Sequence, residues 1–315
     1  MAKFERYLSK ELLESLGKLS ENRRGPTNWW QDVLASKDLL IAIRAGYLNI
    51  YAQGQSVFKI GSSTSTGVDK AGNPLVELHY KYLLKPSLPA GKEYVRFDGN
   101  EFHMGGKELD PAKIVQTKYT PAETVRELAA AARTYSGAEK QGVHEIARRN
   151  PSVIDLEIAF AKTDGDGKQS APRIDLAALH DSGGKILVRF YEAKLASDPR
   201  LRQNSKGKPE IVDQMQKYDD FLRKNERDIR EAYVNVCRNL EALGKATRLV
   251  KAVCTSPERL SIDTSVKLLV FGYDQDHLHQ DSLFRKRIDF LKKDAKLAGR
   301  IFSSGQPKFN LEKLK

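Results

Sequence analysis

The sequence predicts an α/β (α+β) chain in two domains. Residues 1–118 form a smaller, mainly antiparallel β domain with helices at its front, and residues 119–315 form a larger domain in which helices and strands are mixed. Three observations carry this expectation. A length of 315 residues with 40% hydrophobic content suits about two globular domains with sizeable cores. Between residues 39 and 104 the apolar runs are short and separated by Gly, Pro and Asn, as strands joined by tight turns require. From "TPAETVRELAAAARTY" at 120–135 the apolar period lengthens to that of a helix, so a junction is expected near Tyr119.

The elements follow in order. An amphipathic segment, "MAKFERYLSKELLESLGKL", opens the chain, and a short helix is expected around "NWWQDVLASKD" at 28–38. "LLIAIRAGYLNIYAQGQSVFKIG" at 39–61 reads as strands broken by Ala-Gly and Gln-Gly turns. Further strand pieces are "LVELHYKYLL", "KEYVRF" and "NEFHM". In the second domain Thr120-Pro121 with Glu123 signals a helix start. Helices are expected at 122–134 and 138–149, strands at 153–161, 173–180 and 186–194, helices at 209–224 and 227–243, a strand at 266–273, and a terminal basic helix at 280–297.

Composition narrows the partners. No stretch approaches the ~18 apolar residues of a membrane span, and the amino terminus lacks a signal-peptide centre, so a cytoplasmic protein without a membrane partner is expected. Cys237 and Cys254 are the only cysteines, too few for a disulfide framework or a cysteine-held cluster, and both read as buried thiols. The net charge of +12 favours polyanions. Residues 201–315 hold 24 Lys and Arg against 16 Asp and Glu, which puts most of the excess in the last third. A basic surface kept only for solubility would have the same composition.

Chemistry concentrates in "RIDLAALHDSGGKILVRFYEAK" at 173–194. In a strand, Phe190, Glu192 and Lys194 share one face while Tyr191 and Ala193 take the other. A hairpin through "HDSGGK" would bring Asp175, at the start of one strand, beside the end of the next. Two carboxylates and a lysine then converge. Adjacent carboxylates resist ionisation unless a cation stands between them. Mg²⁺ is the expected cation, with Mn²⁺ as an alternative, because it takes one or two carboxylates and fills its other positions with water or phosphate oxygens. Lys194 could orient or deprotonate a water, or stabilise charge on a phosphate. The bland reading makes Glu192 and Lys194 an exposed pair at a strand edge.

The "RID" and "YEAK" arrangement, with sixteen residues between Asp175 and Glu192, resembles the PD-(D/E)XK nuclease superfamily. The resemblance implies a restriction-endonuclease-like core, with a central mixed sheet flanked by helices. It implies Asp175 and Glu192 as metal ligands and Lys194 as the catalytic lysine. Ile174 stands where the family proline would precede the aspartate, with Pro172 two positions further back. In "PEIVDQMQKYDDFL" Ile211, Met215, Tyr218 and Leu222 form an apolar stripe, and Gln214 and Tyr218 lie one turn apart. Q-x-x-x-Y after the E-x-K strand resembles the RecB-type lineage of that family, which implies a supporting role at the site for Gln214 and Tyr218. A core tyrosine beside a surface glutamine is the plain alternative.

The family tends to carry an acid on the helix before the first strand. Glu139 shares a helical face with Val143, Ile146 and Ala147, whereas Glu145 shares one with Gln141, Arg148 and Arg149, so Glu139 is the third candidate metal ligand. Glu157, in "VIDLEIAF", either joins the metal site or belongs to a solvated face. "KTDGDGKQS" lacks the remaining ligands of a calcium loop, and the spacing of His277 and His279 does not suit a zinc site. Neither a phosphate-binding glycine loop nor a Gly-x-Ser-x-Gly elbow occurs. The expected activity is Mg²⁺-dependent hydrolysis of phosphodiester bonds, with DNA as the substrate that the resemblance implies. "RKR" at 285–287 and "KK" at 292–293 would contact phosphates. The rival is a nuclease-fold protein that binds nucleic acid or another partner without cutting. Oligomeric state stays open, a dimer included.

Overall fold

The computed structural model describes residues 4–21, 27–84, 94–103, 114, 117–160, 172–203 and 207–314. Among these the chain is a mixed α/β protein with eight α-helices and two six-stranded sheets, one of them mixed. It divides into two compact units. One comprises Arg6–His144 with Arg238–Ala246; the other comprises Met1–Glu5, Glu145–Cys237 and Thr247–Lys315.

The first unit holds helices α1 (Lys10–Glu21) and α2 (Trp29–Ala35) and strands β1 (Leu40–Ile43), β2 (Leu48–Ala52), β3 (Gln55–Ile60), β4 (Val76–His79), β5 (Tyr94–Phe97) and β6 (Phe102–His103). The strands form an antiparallel meander in sequence order. The Gln-Gly turn signal acts through its backbone: Gln53 and Gly54 have φ of 51° and 72°, the two positive values that a type I′ hairpin needs. Asn28 caps α2 in a reciprocal box with Gln31. Helix α3 (Glu123–Thr134) belongs to this unit, because it buries Val125, Leu128 and Ala132 and packs on β2 and β3. The two units therefore part within α4 (Ala138–Arg149), further along the chain than the change in texture near Tyr119.

The second unit is built on β7 (Val153–Ala159), β8 (Arg173–Ser182), β9 (Lys185–Leu195), β10 (Leu260–Ile262), β11 (Lys267–Phe271) and β12 (Ile301–Ser304). The strand order is β12-β11-β9-β8-β7, with β10 also on β9. β7, β8 and β9 are antiparallel, whereas β10 and β11 run parallel to β9, and β12 runs parallel to β11. Gly183 and Gly184, both at positive φ, close the β8–β9 hairpin between Ser182 and Lys185. That two-residue turn sets the register of the whole pair.

Helices α5 (Glu210–Lys224) and α6 (Glu226–Ala242) follow β9. Phe190 meets Phe160 and the α6 residue Tyr233, with ring centroids 6.5 and 5.7 Å away, and Phe160 meets the α5 residue Phe221 at 4.7 Å. The α5 stripe of Ile211, Met215, Tyr218 and Leu222 is buried. Three elements go beyond the expected ones: α7 (Arg248–Thr255), β10 and β12. The expected terminal helix is shorter, α8 (Leu283–Lys293), and β12 follows it instead of ending the chain in helix. Cys237 is buried, while Cys254 is only half-buried, one step short of the expected pair of buried thiols. "KTDGDGKQS" lies outside the described residues. No helix among the described residues is long and apolar enough to cross a membrane.

Candidate active site

The site grows out of strand register. Leu176 pairs with Tyr191 at the end of the β8–β9 ladder, and the next step along the same register leads from Asp175 to Glu192. On the other side of β8, Leu156 pairs with Leu176 and Ile158 with Ile174, so Glu157 stands opposite Asp175. Three carboxylates thus occupy one row across three neighbouring strands. The amide of Ala193 donates to Asp175 Oδ2 at 2.8 Å, tying the aspartate to the E-x-K strand.

Glu192 and Lys194 are not an exposed edge pair. β9 has neighbours on both sides, and both side chains are only 3% exposed, with Lys194 Nζ 2.5 Å from Glu192 Oε1. Lys194 also donates to the Ala193 carbonyl at 3.1 Å. Breaking a buried pair of this kind leaves an uncompensated charge and costs about 3–5 kcal/mol.

Helix α5 completes the group. Gln214 Nε2 donates to Glu192 Oε1 at 2.8 Å and to the Tyr218 hydroxyl at 2.6 Å, and that hydroxyl donates to the Arg173 carbonyl at 2.6 Å. Tyr218 is therefore both a member of the apolar stripe and a support for the carboxylate, because its ring is buried while its oxygen reaches the start of β8. The two readings of this tyrosine are not exclusive. Gln214 Oε1 is buried without a hydrogen-bond donor among the described residues.

The electrostatics follow the geometry. Burial first, and then the Glu192 charge, push the Asp175 carboxyl well above the usual carboxylate range, against the pull of Lys194 and the Ala193 amide, with Glu157 adding to the rise. Burial and Glu192 also raise the Tyr218 hydroxyl, which stays protonated and so remains a donor. Glu157 carries a φ of 49°, a left-handed backbone that a residue with a side chain adopts at a cost of about 1–3 kcal/mol and that clusters at functional sites.

The structure thus brings Asp175, Glu192, Lys194, Gln214 and Tyr218 together, with Glu157 on their row. Glu139 is assigned by its helix, not by a contact. It sits half-buried in the first turn of α4, in the part of that helix belonging to the antiparallel unit, although Val143, Ile146 and Ala147 on its face are buried as expected. Glu145 is taken up by Arg148 at 2.9 Å and by Arg149.

Sequence reasoning missed Asp198 and Arg200. Asp198 caps the short turn Pro199–Leu201 that follows β9, and both its oxygens bind the Arg200 guanidinium, at 3.0 and 2.6 Å. Against the effect of burial, these bonds hold Asp198 below the usual range, and the charge of Lys194 adds to this. Asp-Pro was legible as a turn start, but nothing in its spacing tied it to the E-x-K strand.

The donors are of the type that suits a hard cation. Among the described residues no group of three or more His, Cys, Asp or Glu is placed to hold a metal ion by itself. Mg²⁺ needs only one or two carboxylates, however, and two structural features fit it: a carboxyl whose ionisation is opposed by burial and by a second carboxylate, and a buried amide oxygen without a donor among the described residues. The basic helix α8 is partly neutralised, with Arg285 on Asp289 at 3.0 Å and Lys286 on Asp281 at 3.6 Å, while Lys292 and Lys293 are exposed. Comparison with known proteins finds no match: no family model fits the chain, and no curated protein or solved structure is significantly similar to it.

Proposed function

We propose that the chain is a metal-dependent nuclease with a restriction-endonuclease-like core, hydrolysing phosphodiester bonds in DNA. One observation carries the reading. Asp175 is held by the Ala193 amide beside Glu192 and feels its charge, and the Lys194 ammonium and the Gln214 amide both rest on the Glu192 carboxylate. The element order α4, β7, β8, β9, α5, β11 supports the core assignment.

Asp175 and Glu192 would hold Mg²⁺ or Mn²⁺. When bound, the ion supplies neutralisation of phosphate charge and acidification of a water. The chain's own groups supply the rest. Lys194 offers a positive charge at the carboxylate pair, where charge on a phosphate would develop. Gln214 fixes the orientation of Glu192, and Tyr218 fixes Gln214 by anchoring to the Arg173 carbonyl. Burial of Glu192 and Lys194 keeps water from weakening these interactions.

The test is an incubation of circular, linear and single-stranded DNA, and of RNA, with Mg²⁺, Mn²⁺ or EDTA. Wild type should cut DNA only with metal, and Asp175→Asn should lose at least about 100-fold in rate while staying folded. If wild type cuts no substrate under any condition, or Asp175→Asn cuts as fast as wild type, the reading is wrong. Lys194→Ala is a poorer choice, because loss of the buried pair with Glu192 would also unsettle the fold.

A further inference from the structure

The antiparallel sheet carries a feature that the proposed catalytic site does not use. Its outer face bears alternate residues of neighbouring strands: Lys59 on β3, Glu77 and His79 on β4, Tyr94 and Arg96 on β5. Lys59 pairs with Glu77, Glu77 with Arg96, and His79 with Tyr94, while Phe58, Ile60, Leu78, Val95 and Phe97 on the opposite face are buried. Tyr94 is 47% exposed, a large share for an aromatic ring in a strand. Lys59 Nζ stands 4.6 Å from its ring centre, and the His79 ring lies 5.2 Å away.

The rings continue inward. His79 meets Tyr82 at 6.0 Å, and Tyr82 meets Tyr135 at 6.0 Å. Lys81 Nζ lies 4.9 Å from the Tyr82 ring and 5.0 Å from the Tyr135 ring, and donates to Gln55 Oε1 at 3.2 Å. The lysines bear on the neighbouring groups. His79 is held below its usual value by burial and then by Lys81 and Lys59, and Lys81 is lowered by burial and then by Lys140. Glu77 is engaged by Ser62 and Ser63 at 2.8 and 2.6 Å.

A row of rings interleaved with lysines and bordered by Arg96 asks for a ligand with π-faces and regularly spaced negative charge. We propose that this face binds single-stranded nucleic acid, with an unpaired base stacked on Tyr94 and the strand's phosphates met by Lys59 and Arg96. An acidic peptide would satisfy the cations but leave the ring without a stacking partner. A duplex would satisfy the cations while keeping its base faces inside the helix. Stacking on an aromatic ring is tolerant of sequence, so the face would take strands of either sugar without base preference. The inference does not rest on the nuclease reading, since all of its residues lie in the other unit.

The test is fluorescence anisotropy on the full-length chain in EDTA, where metal-dependent cleavage would be silent. The probes are fluorescein-labelled 20-mers of single-stranded DNA and RNA, a DNA duplex of the same sequence, and a polyglutamate peptide. Both single strands should bind more tightly than the duplex or the peptide. Tyr94→Ala should weaken single-strand binding about tenfold, whereas Tyr94→Phe, which keeps the ring, should stay within about twofold. Lys59→Ala should weaken binding and reduce the slope of log affinity against log salt by about 0.7. Melting curves establish that the variants are folded. The proposal is overturned if Tyr94→Ala binds single strands like wild type, if Tyr94→Phe loses as much as Tyr94→Ala, or if duplex or polyglutamate binds as tightly as the single strands.

Discussion

Helix α5 borders two buried charge clusters of opposite character. On one side Asp219 receives the Arg300 guanidinium on both oxygens, at 2.6 and 3.1 Å, and the Val266 amide at 2.9 Å, while Arg300 also donates to the Val266 carbonyl at 3.0 Å. One carboxylate meets one guanidinium, and both oxygens have donors. On the other side Gln214 and Tyr218 support Glu192, which shares a single lysine with Asp175. The first cluster is closed and ties α5 to β11 and the turn before β12. The second gathers more carboxyls than lysines among the described residues. That excess is a cost in a protein that only has to fold, and it is the arrangement expected where a further cation is to be received.

The comparison can be broken first at its closed end. Arg300→Ala should lower the unfolding free energy by about 3–5 kcal/mol in urea titrations, equally with and without Mg²⁺, because it leaves Asp219 buried and uncompensated. A loss below about 1 kcal/mol would mean that the closed cluster holds little. The open end should respond to metal instead. Mg²⁺ at a hundred times its dissociation constant should stabilise wild type by about 2.7 kcal/mol, read as a rise in Tm, and Asp175→Asn should abolish that rise. An equal shift in wild type and variant would place the cation elsewhere.

Between these extremes lies the support. Tyr218→Phe keeps the buried ring but removes a hydroxyl that makes two hydrogen bonds, so about 1–2 kcal/mol of stability should go together with cleavage rate. Gln214→Ala combined with Tyr218→Phe should cost less activity than the two single losses multiplied together, as residues acting through one carboxylate do. Strict multiplicativity in that cycle would separate them.

The smallest effect is the most telling in sign. Because Asp175 has a raised pKa, the native state holds a proton that the unfolded chain gives up. Wild-type stability is therefore lost as pH rises from about 3.8, the ordinary value, through the raised one. Asp175→Asn, measured without metal, should match wild type at the acid end and exceed it increasingly as pH rises, ending with Tm higher by about 2–4 °C per kcal/mol gained. A variant less stable than wild type at neutral pH would show that Asp175 is a structural residue.

Much of this was written along the chain. Alternation placed Phe190, Glu192 and Lys194 on one face, the Gly-Gly turn set the hairpin that carries Asp175 toward Glu192, and the α5 stripe put Gln214 one turn from Tyr218. These are local periodicities of two or 3.6 residues, and short spans of sequence suffice to define them. What the sequence could not decide was which unit a helix would join and which side chain would close a charge. α3 and the acid-bearing start of α4 went to the antiparallel unit, and Asp219 found Arg300 eighty-one positions away. β10 and β12 are three and four residues long and exist as parallel partners of β9 and β11. Such pairings rest on contacts between distant segments, whose stability comes from burial and hydrogen bonding after the chain has closed. No spacing in the sequence encodes them, so only the tertiary structure settles them.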